Sequence, residues 1–75
     1  MDTAFILISI IPGKEYEVYQ KISSLNGIIE VHPLLGEYDM IAKLTVNGDI
    51  GKYIIDNIRT IAGVIDTKTL MEIKL

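Results

Sequence analysis

An α+β sandwich with its elements in the order β-α-β-β-α-β is predicted by three observations on this sequence. The hydrophobic period switches between two and about 3.6 residues along the chain, Gly or Pro stands at each switch, and the pattern repeats at an offset of 36 residues. Four strands and two helices follow, with the strands in one antiparallel sheet and the helices on one of its faces.

Residues 4–11 (Ala-Phe-Ile-Leu-Ile-Ser-Ile-Ile) are β-branched and aromatic and stop at Pro12-Gly13, which reads as a strand. From Lys14 to Leu25 the period changes: Val18, Ile22 and Leu25 recur at i, i+4 and i+7 among Glu15, Glu17, Gln20 and Lys21, an apolar stripe on a helix. Asn26-Gly27 ends it, because glycine takes up the left-handed conformation common just past a helix. Ile28 to Leu35 is a second strand, and Pro33, lacking an N–H for a ladder, places it at an edge or a bulge. Gly36-Glu37-Tyr38-Asp39 is a turn and Met40 to Val46 a third strand. Asn47-Gly48-Asp49 supplies both a turn and a helix N-cap. Ile50, Ile54, Ile58 and Ile61 then mark a helix over Ile50 to Ile61, Gly63 stops it, and Val64 to Leu75 is the last strand.

The repeat supports this order. A shift of 36 residues carries Ile6, Ile8 and Ile10 onto Ala42, Leu44 and Val46, and Val18, Ile22 and Leu25 onto Ile54, Ile58 and Ile61. It also carries Gly27-Ile28-Ile29-Glu30 onto Gly63-Val64-Ile65-Asp66. Two βαβ halves joined by a turn make the split βαβ, or ferredoxin-like, sandwich, each half with a right-handed crossover. Residues 1–75 form a single domain of this kind.

The faces of the strands divide the core from an interface. Ala4, Ile6, Ile8 and Ile10 alternate with Phe5, Leu7, Ser9 and Ile11; Met40, Ala42, Leu44 and Val46 alternate with Ile41, Lys43 and Thr45. The even-numbered set faces the helices. The odd-numbered face is wet in a monomer yet carries Phe5, Leu7 and Ile41, an apolar patch that marks an oligomer interface, with a second copy as its expected partner. Size argues the same way. Seventy-five residues remove only about 60% of the unfolded surface from water, and with no Cys and one His neither disulfides nor a zinc site can compensate. Self-association remains.

Seven basic against ten acidic residues give a net charge of −3, and the basic residues are scattered, which argues against direct binding of nucleic acid. No apolar run reaches the roughly 18 residues of a membrane span, and Met1-Asp2-Thr3 is no basic leader; the expectation is a cytoplasmic protein with no membrane partner. Catalysis finds no support. His32 stands alone beside Pro33, Ser9, Ser23 and Ser24 have no base at a persuasive spacing, and Glu30, Glu37, Asp39 and Asp66 match no carboxylate template. There is no Gly-rich phosphate loop, and no metal or other cofactor is implied. A small monooxygenase or acylphosphatase on the same architecture is disfavoured by the single His, the absence of Trp and the lack of an Arg-bearing anion loop.

Gly36-Glu37-Tyr38-Asp39, Gly63-Val64-Ile65-Asp66-Thr67-Lys68-Thr69, Pro12-Gly13 and Asn26-Gly27-Ile28-Ile29-Glu30-Val31 stand in order on these elements. In this the chain resembles the ligand-binding domain of the Lrp/AsnC transcription regulators over nearly all its length, with Asn26 where the family has Pro. The resemblance departs in one respect: strand 1 begins within a few residues of Met1, where family regulators place a helix-turn-helix reader, as in the stand-alone form called RAM.

The resemblance implies homodimers joined through their sheets, assembly of dimers into rings, and amino-acid effectors bound between dimers. It also implies regulation of amino-acid metabolism, and co-assembly with full-length regulators is the alternative role. Carried onto this chain, it makes Gly36, Glu37, Tyr38 and Asp39 one wall of the effector site. Backbone N–H groups there suit a carboxylate and Asp39 suits an ammonium. Thr67 and Thr69, alternating onto one face of the last strand, add hydroxyls, and Leu34 or Met40 offers apolar selection.

Overall fold

In a computed structural model describing residues 1–75, the chain runs through β1 (Asp2–Ile10), α1 (Glu15–Ser23), β2 (Ile28–Pro33), β3 (Met40–Val46), α2 (Ile50–Asn57) and β4 (Val64–Met71). The sheet is antiparallel throughout, in the order β2-β3-β1-β4. This is the ferredoxin-like topology expected from the repeat. Ala4, Ile6, Ile8 and Ile10 of β1 and Met40, Ala42 and Leu44 of β3 are buried. They form one core with Val18 and Ile22 of α1 and with Ile50, Ile54 and Ile58 from α2 and its C-cap. The two central strands are thus apolar at every second residue because a helical layer covers that face alone. No helix is long and apolar enough to cross a membrane.

The 36-residue offset holds at the level of single hydrogen bonds. Leu25 N–H donates to Ile22 C=O and Ile28 N–H to Leu25 C=O; their counterparts are Ile61 to Ile58 and Val64 to Ile61. These i→i−3 turns explain why both helices stop short of the predicted ends, at Ser23 rather than Leu25 and at Asn57 rather than Ile61. Leu25 and Ile61 still pack against the core, but from the closing turns. Gly27 (φ +97°) and Gly63 (φ +105°) follow in the left-handed region. The carbonyl of each accepts from the end of a neighbouring strand, Thr45 N–H donating to Gly27 C=O and Ile11 N–H to Gly63 C=O, both 2.8 Å.

The other boundaries differ for definite reasons. β1 starts at Asp2 because Asp2 and Thr3 pair with Val46 and Thr45, the two threonine hydroxyls 3.0 Å apart. β2 ends at Pro33, leaving Leu34 and Leu35 exposed rather than in the strand. As Pro33 required, β2 is an edge strand, with an irregularity between Ile28 and Glu30. β4 ends at Met71, not Leu75. Glu72 N–H still reaches Thr3 C=O, but β1 begins at Asp2, so residues 73–75 run out of a partner strand.

Candidate functional site

The Gly36–Asp39 turn is pinned at both ends. Leu34 N–H donates to Asp39 C=O (2.9 Å) and Asp39 N–H donates to Ile8 C=O (3.0 Å), closing the connection between β2 and β3. The Asp39 carboxylate accepts the Ile10 N–H through Oδ2 at 2.7 Å. That bond extends the β1–β3 ladder by one rung with a side chain standing in for a carbonyl. Asp39 therefore has a structural role, holding the end of β1, and only Oδ1 lacks a partner within the chain. Between the pins, the N–H groups of Gly36, Glu37 and Tyr38 make no hydrogen bond inside the protein. Gly36 and Glu37 are exposed and Tyr38 is half-buried. The turn thus carries unbonded amide donors at Gly36, Glu37 and Tyr38 and one unbonded carboxylate oxygen at Asp39.

Thr67 and Thr69 sit elsewhere. They stand opposite Ile8 and Ile6 of β1, so both point to the helix side of the sheet, Thr67 half-buried and Thr69 exposed. β4 is two strands from β3, about 10 Å at ordinary strand spacing. The turn and the two threonines therefore lie on opposite sides of β1. Of the two apolar candidates for selecting a side chain, Leu34 is 42% exposed, whereas Met40 has no exposed surface and is a core residue. Met40 closes the floor of a shallow cleft walled by Glu15, Tyr16 and Tyr19 of α1 and by Pro33, directly beside the turn. The α1 tyrosines were not among the expected residues. Their i, i+3 spacing on the polar side of the helical stripe is the only trace of them in the sequence.

The open face of the sheet can be read row by row. His32, Ile41, Leu7 and Lys68 form one row across β2, β3, β1 and β4; Glu30, Lys43, Phe5 and Leu70 form the next. The three expected interface residues do lie together, since Leu7 pairs with Ile41 and Phe5 lies in the adjacent row. Leu70, 53% exposed and opposite Phe5, joins them; seeing it needed the β4 register. Each of Phe5, Leu7 and Ile41 is half-buried rather than bare, and Lys43 Nζ lies 5.7 Å from the Phe5 ring centroid, a cation–π contact. His32 Nε2 lies 3.0 Å from Glu30 Oε1 at the β2 edge. An apolar centre thus sits within a rim of both charges.

The pattern of the Lrp/AsnC ligand binding domain matches residues 3–74. PH1916, an HTH-type transcriptional regulator of Pyrococcus horikoshii, is 38% identical over 74 residues, covering 92% of this chain and 49% of that protein. The chain spans about half the length of the curated relatives it matches. The crystal structure of FFRP-DM1 superposes with a TM-score of 0.92 at 35% identity, covering 97% of this chain and 100% of that one. The regulator NMB0573 of Neisseria meningitidis, solved as an L-Met complex, shares the fold at a TM-score of 0.84 and 20% identity, over 97% of this chain and 50% of that one. The named relatives are transcription regulators, and theirs is not a family of enzymes. With the match running from residue 3 to residue 74, the chain belongs to the Lrp/AsnC family, as a regulatory effector-binding domain.

Proposed function

We propose that this domain senses a small zwitterion, an amino acid, at contacts between copies of itself, and that binding shifts its assembly or its affinity for a regulator. One observation carries the reading: the Gly36–Tyr38 amides and Asp39 Oδ1 are unbonded within the subunit and lie together in one turn. The separation of that turn from Thr67 and Thr69 supports a pocket completed by a second copy. A ligand that spans two copies favours the state in which both walls are present. The L-Met complex of NMB0573 supports an amino acid as the ligand class, as a property of that protein carried here by the proposal. The copies associate first through the open sheet faces around Phe5, Leu7, Ile41 and Leu70, and dimers then associate further into a ring.

A second reading has its own support. Asp39 already holds Ile10, which suits a turn kept for structure in a domain that only co-assembles with full-length regulators. Titration calorimetry across the twenty amino acids, with solution mass measured before and after, separates the two. Heat from one or a few amino acids, weakened at least tenfold in Asp39→Asn, is the expected result. Silence across the panel with assembly intact selects the assembly-only reading.

A further inference from the structure

The roomiest depression on the subunit, about 410 Å³, is the cleft between α1 and the Pro33–Met40 pair. That volume lies within the roughly 300–1,000 Å³ of small-molecule sites. Because the turn closes on Leu34 and Asp39, the cleft opens within one residue of the turn's pinned ends. Its lining is of three kinds. Met40 and Pro33 are apolar, Tyr16 and Tyr19 supply aromatic rings, and exposed Glu15 stands at the rim. Tyr16 is 87% exposed and Tyr19 38%, so both rings keep surface that a ligand can cover. Glu15 carries the only charge in the lining. Its Oε1 accepts the Gly13 N–H at 2.8 Å, which holds the carboxylate in place, and Oε2 has no partner inside the chain. Neighbouring Lys14 is turned to Glu17 at 3.7 Å, and none of the three ion pairs includes Glu15.

We infer that this cleft takes the cationic end of a basic amino acid, an ammonium or guanidinium group, while the α-amino and α-carboxylate groups of that ligand sit on the turn. The inference rests on the amino-acid reading above and adds its side-chain class. A cation is attracted both to the faces of tyrosine rings and to a carboxylate that has no other counter-charge. The methylene stem of such a side chain lies along Pro33 and Met40 while its charged head stays at the wet rim, the way long cationic side chains cover apolar surface. The other classes fit less well. An acidic side chain meets Glu15 with no cation in the lining to offset the repulsion. An apolar one covers the rings but takes water from the Glu15 carboxylate and gives it no donor in return.

NMR titration of the full chain with L-lysine, L-arginine, L-norleucine and agmatine tests it. Norleucine keeps the aliphatic stem of lysine without the charge, and agmatine keeps the cation of arginine without the carboxylate. Lysine or arginine is expected to bind at least tenfold tighter than norleucine, with shifts both in the turn and over Glu15–Tyr19. Glu15→Gln retains an acceptor for the Gly13 N–H and is expected to cut that preference to threefold or less. Tyr16→Leu, which removes one ring, is expected to lower it at least threefold. Norleucine binding as tightly as lysine and arginine would overturn the inference and leave the amino-acid reading standing. A preference that survives Glu15→Gln would do the same. Agmatine shifting Glu15–Tyr19 while all three amino acids are silent supports the cation site and removes its link to the turn. Silence of agmatine as well overturns the inference, and the panel of twenty amino acids then decides the amino-acid reading by itself.

Discussion

The carboxylate of Asp39 accepts the backbone N–H of Ile10 at 2.7 Å, bridging 29 positions of sequence and tying the start of β3 to the end of β1. Ile10 is only 3% exposed, so water cannot easily replace the acceptor. Asp39→Ala is expected to lose about 1–3 kcal/mol of stability, the cost of a buried donor left unsatisfied. Asp39→Asn, which keeps an acceptor oxygen, is expected to lose less than half of that. Urea unfolding of the two variants measures the difference; equal losses would show that the hydrogen bond is not the cause.

Gly63 and Gly13 separate backbone strain from packing. Both lie at positive φ, but a Cβ on Gly63 would stand 3.0 Å from Lys14 Cβ and Val18 Cγ2, whereas one on Gly13 meets nothing within 4 Å. Gly13→Ala is expected to cost about 1–2 kcal/mol from the left-handed conformation alone. Gly63→Ala adds a clash worth about 1–3 kcal/mol in a packed site. Thermal unfolding should rank wild type above Gly13→Ala and Gly13→Ala above Gly63→Ala.

Asp49 caps α2, its side chain accepting the Lys52 N–H at 3.1 Å. Asp49→Ala is expected to cost about 0.5–2 kcal/mol, and Asp49→Ser to recover most of it. Chemical denaturation followed by far-UV circular dichroism is the check.

Tyr53 donates its hydroxyl to Asn26 C=O, linking α2 to the end of α1, and burial pushes its pKa above the ordinary value of 10.0. The folded state holds this proton more tightly than the unfolded chain. Its contribution is therefore complete below pH 10 and is lost as the pH rises through the folded value. Urea midpoints at pH 8 and pH 10.5 should fall further in the wild type than in Tyr53→Phe. Parallel losses in the two proteins would assign the alkaline effect to other groups.

Leu7 and Ile41 face each other at the centre of the open sheet face. If copies associate there, Leu7→Lys places a charge in the middle of the contact on both sides of a two-fold axis. Self-association should weaken at least tenfold, about 1.4 kcal/mol or more, given the roughly 1.5–3 kcal/mol that burying such a side chain supplies. Sedimentation equilibrium measures it, with Thr45→Ser, at the edge of the patch, as the control expected to associate normally.

Much of the architecture was legible because its signals are local. Alternation in β1 and β3, the isoleucine stripe of α2, the Asp49 cap and the stops at Gly27 and Gly63 each depend on a few neighbouring residues. The apolar period runs two to four residues past each helix end, since Leu25 and Ile61 reach the core from i→i−3 turns that keep the period without the helix. The apolar alternation of β4 continues four residues past its end at Met71, because that end is set by where β1 begins. Within the candidate site, the turn was identifiable as a turn, but nothing near Asp39 in the chain announces that Ile10 will supply its donor. Leu70 was missed for the same reason, as its neighbour Phe5 comes from the other end of the chain.

By itself the sequence determined the element order, the buried face and the family, since periodicity, stops and motifs are properties of short stretches and survive without partners. Only the tertiary structure decided the sheet register, and with it two things. Met40 became core instead of a selecting side chain, and Thr67 and Thr69 were set two strands from the turn. The physical reason is that a strand's hydrogen bonds and cross-strand neighbours belong to pairs of distant segments, and a pairing is settled by what it buries and satisfies together.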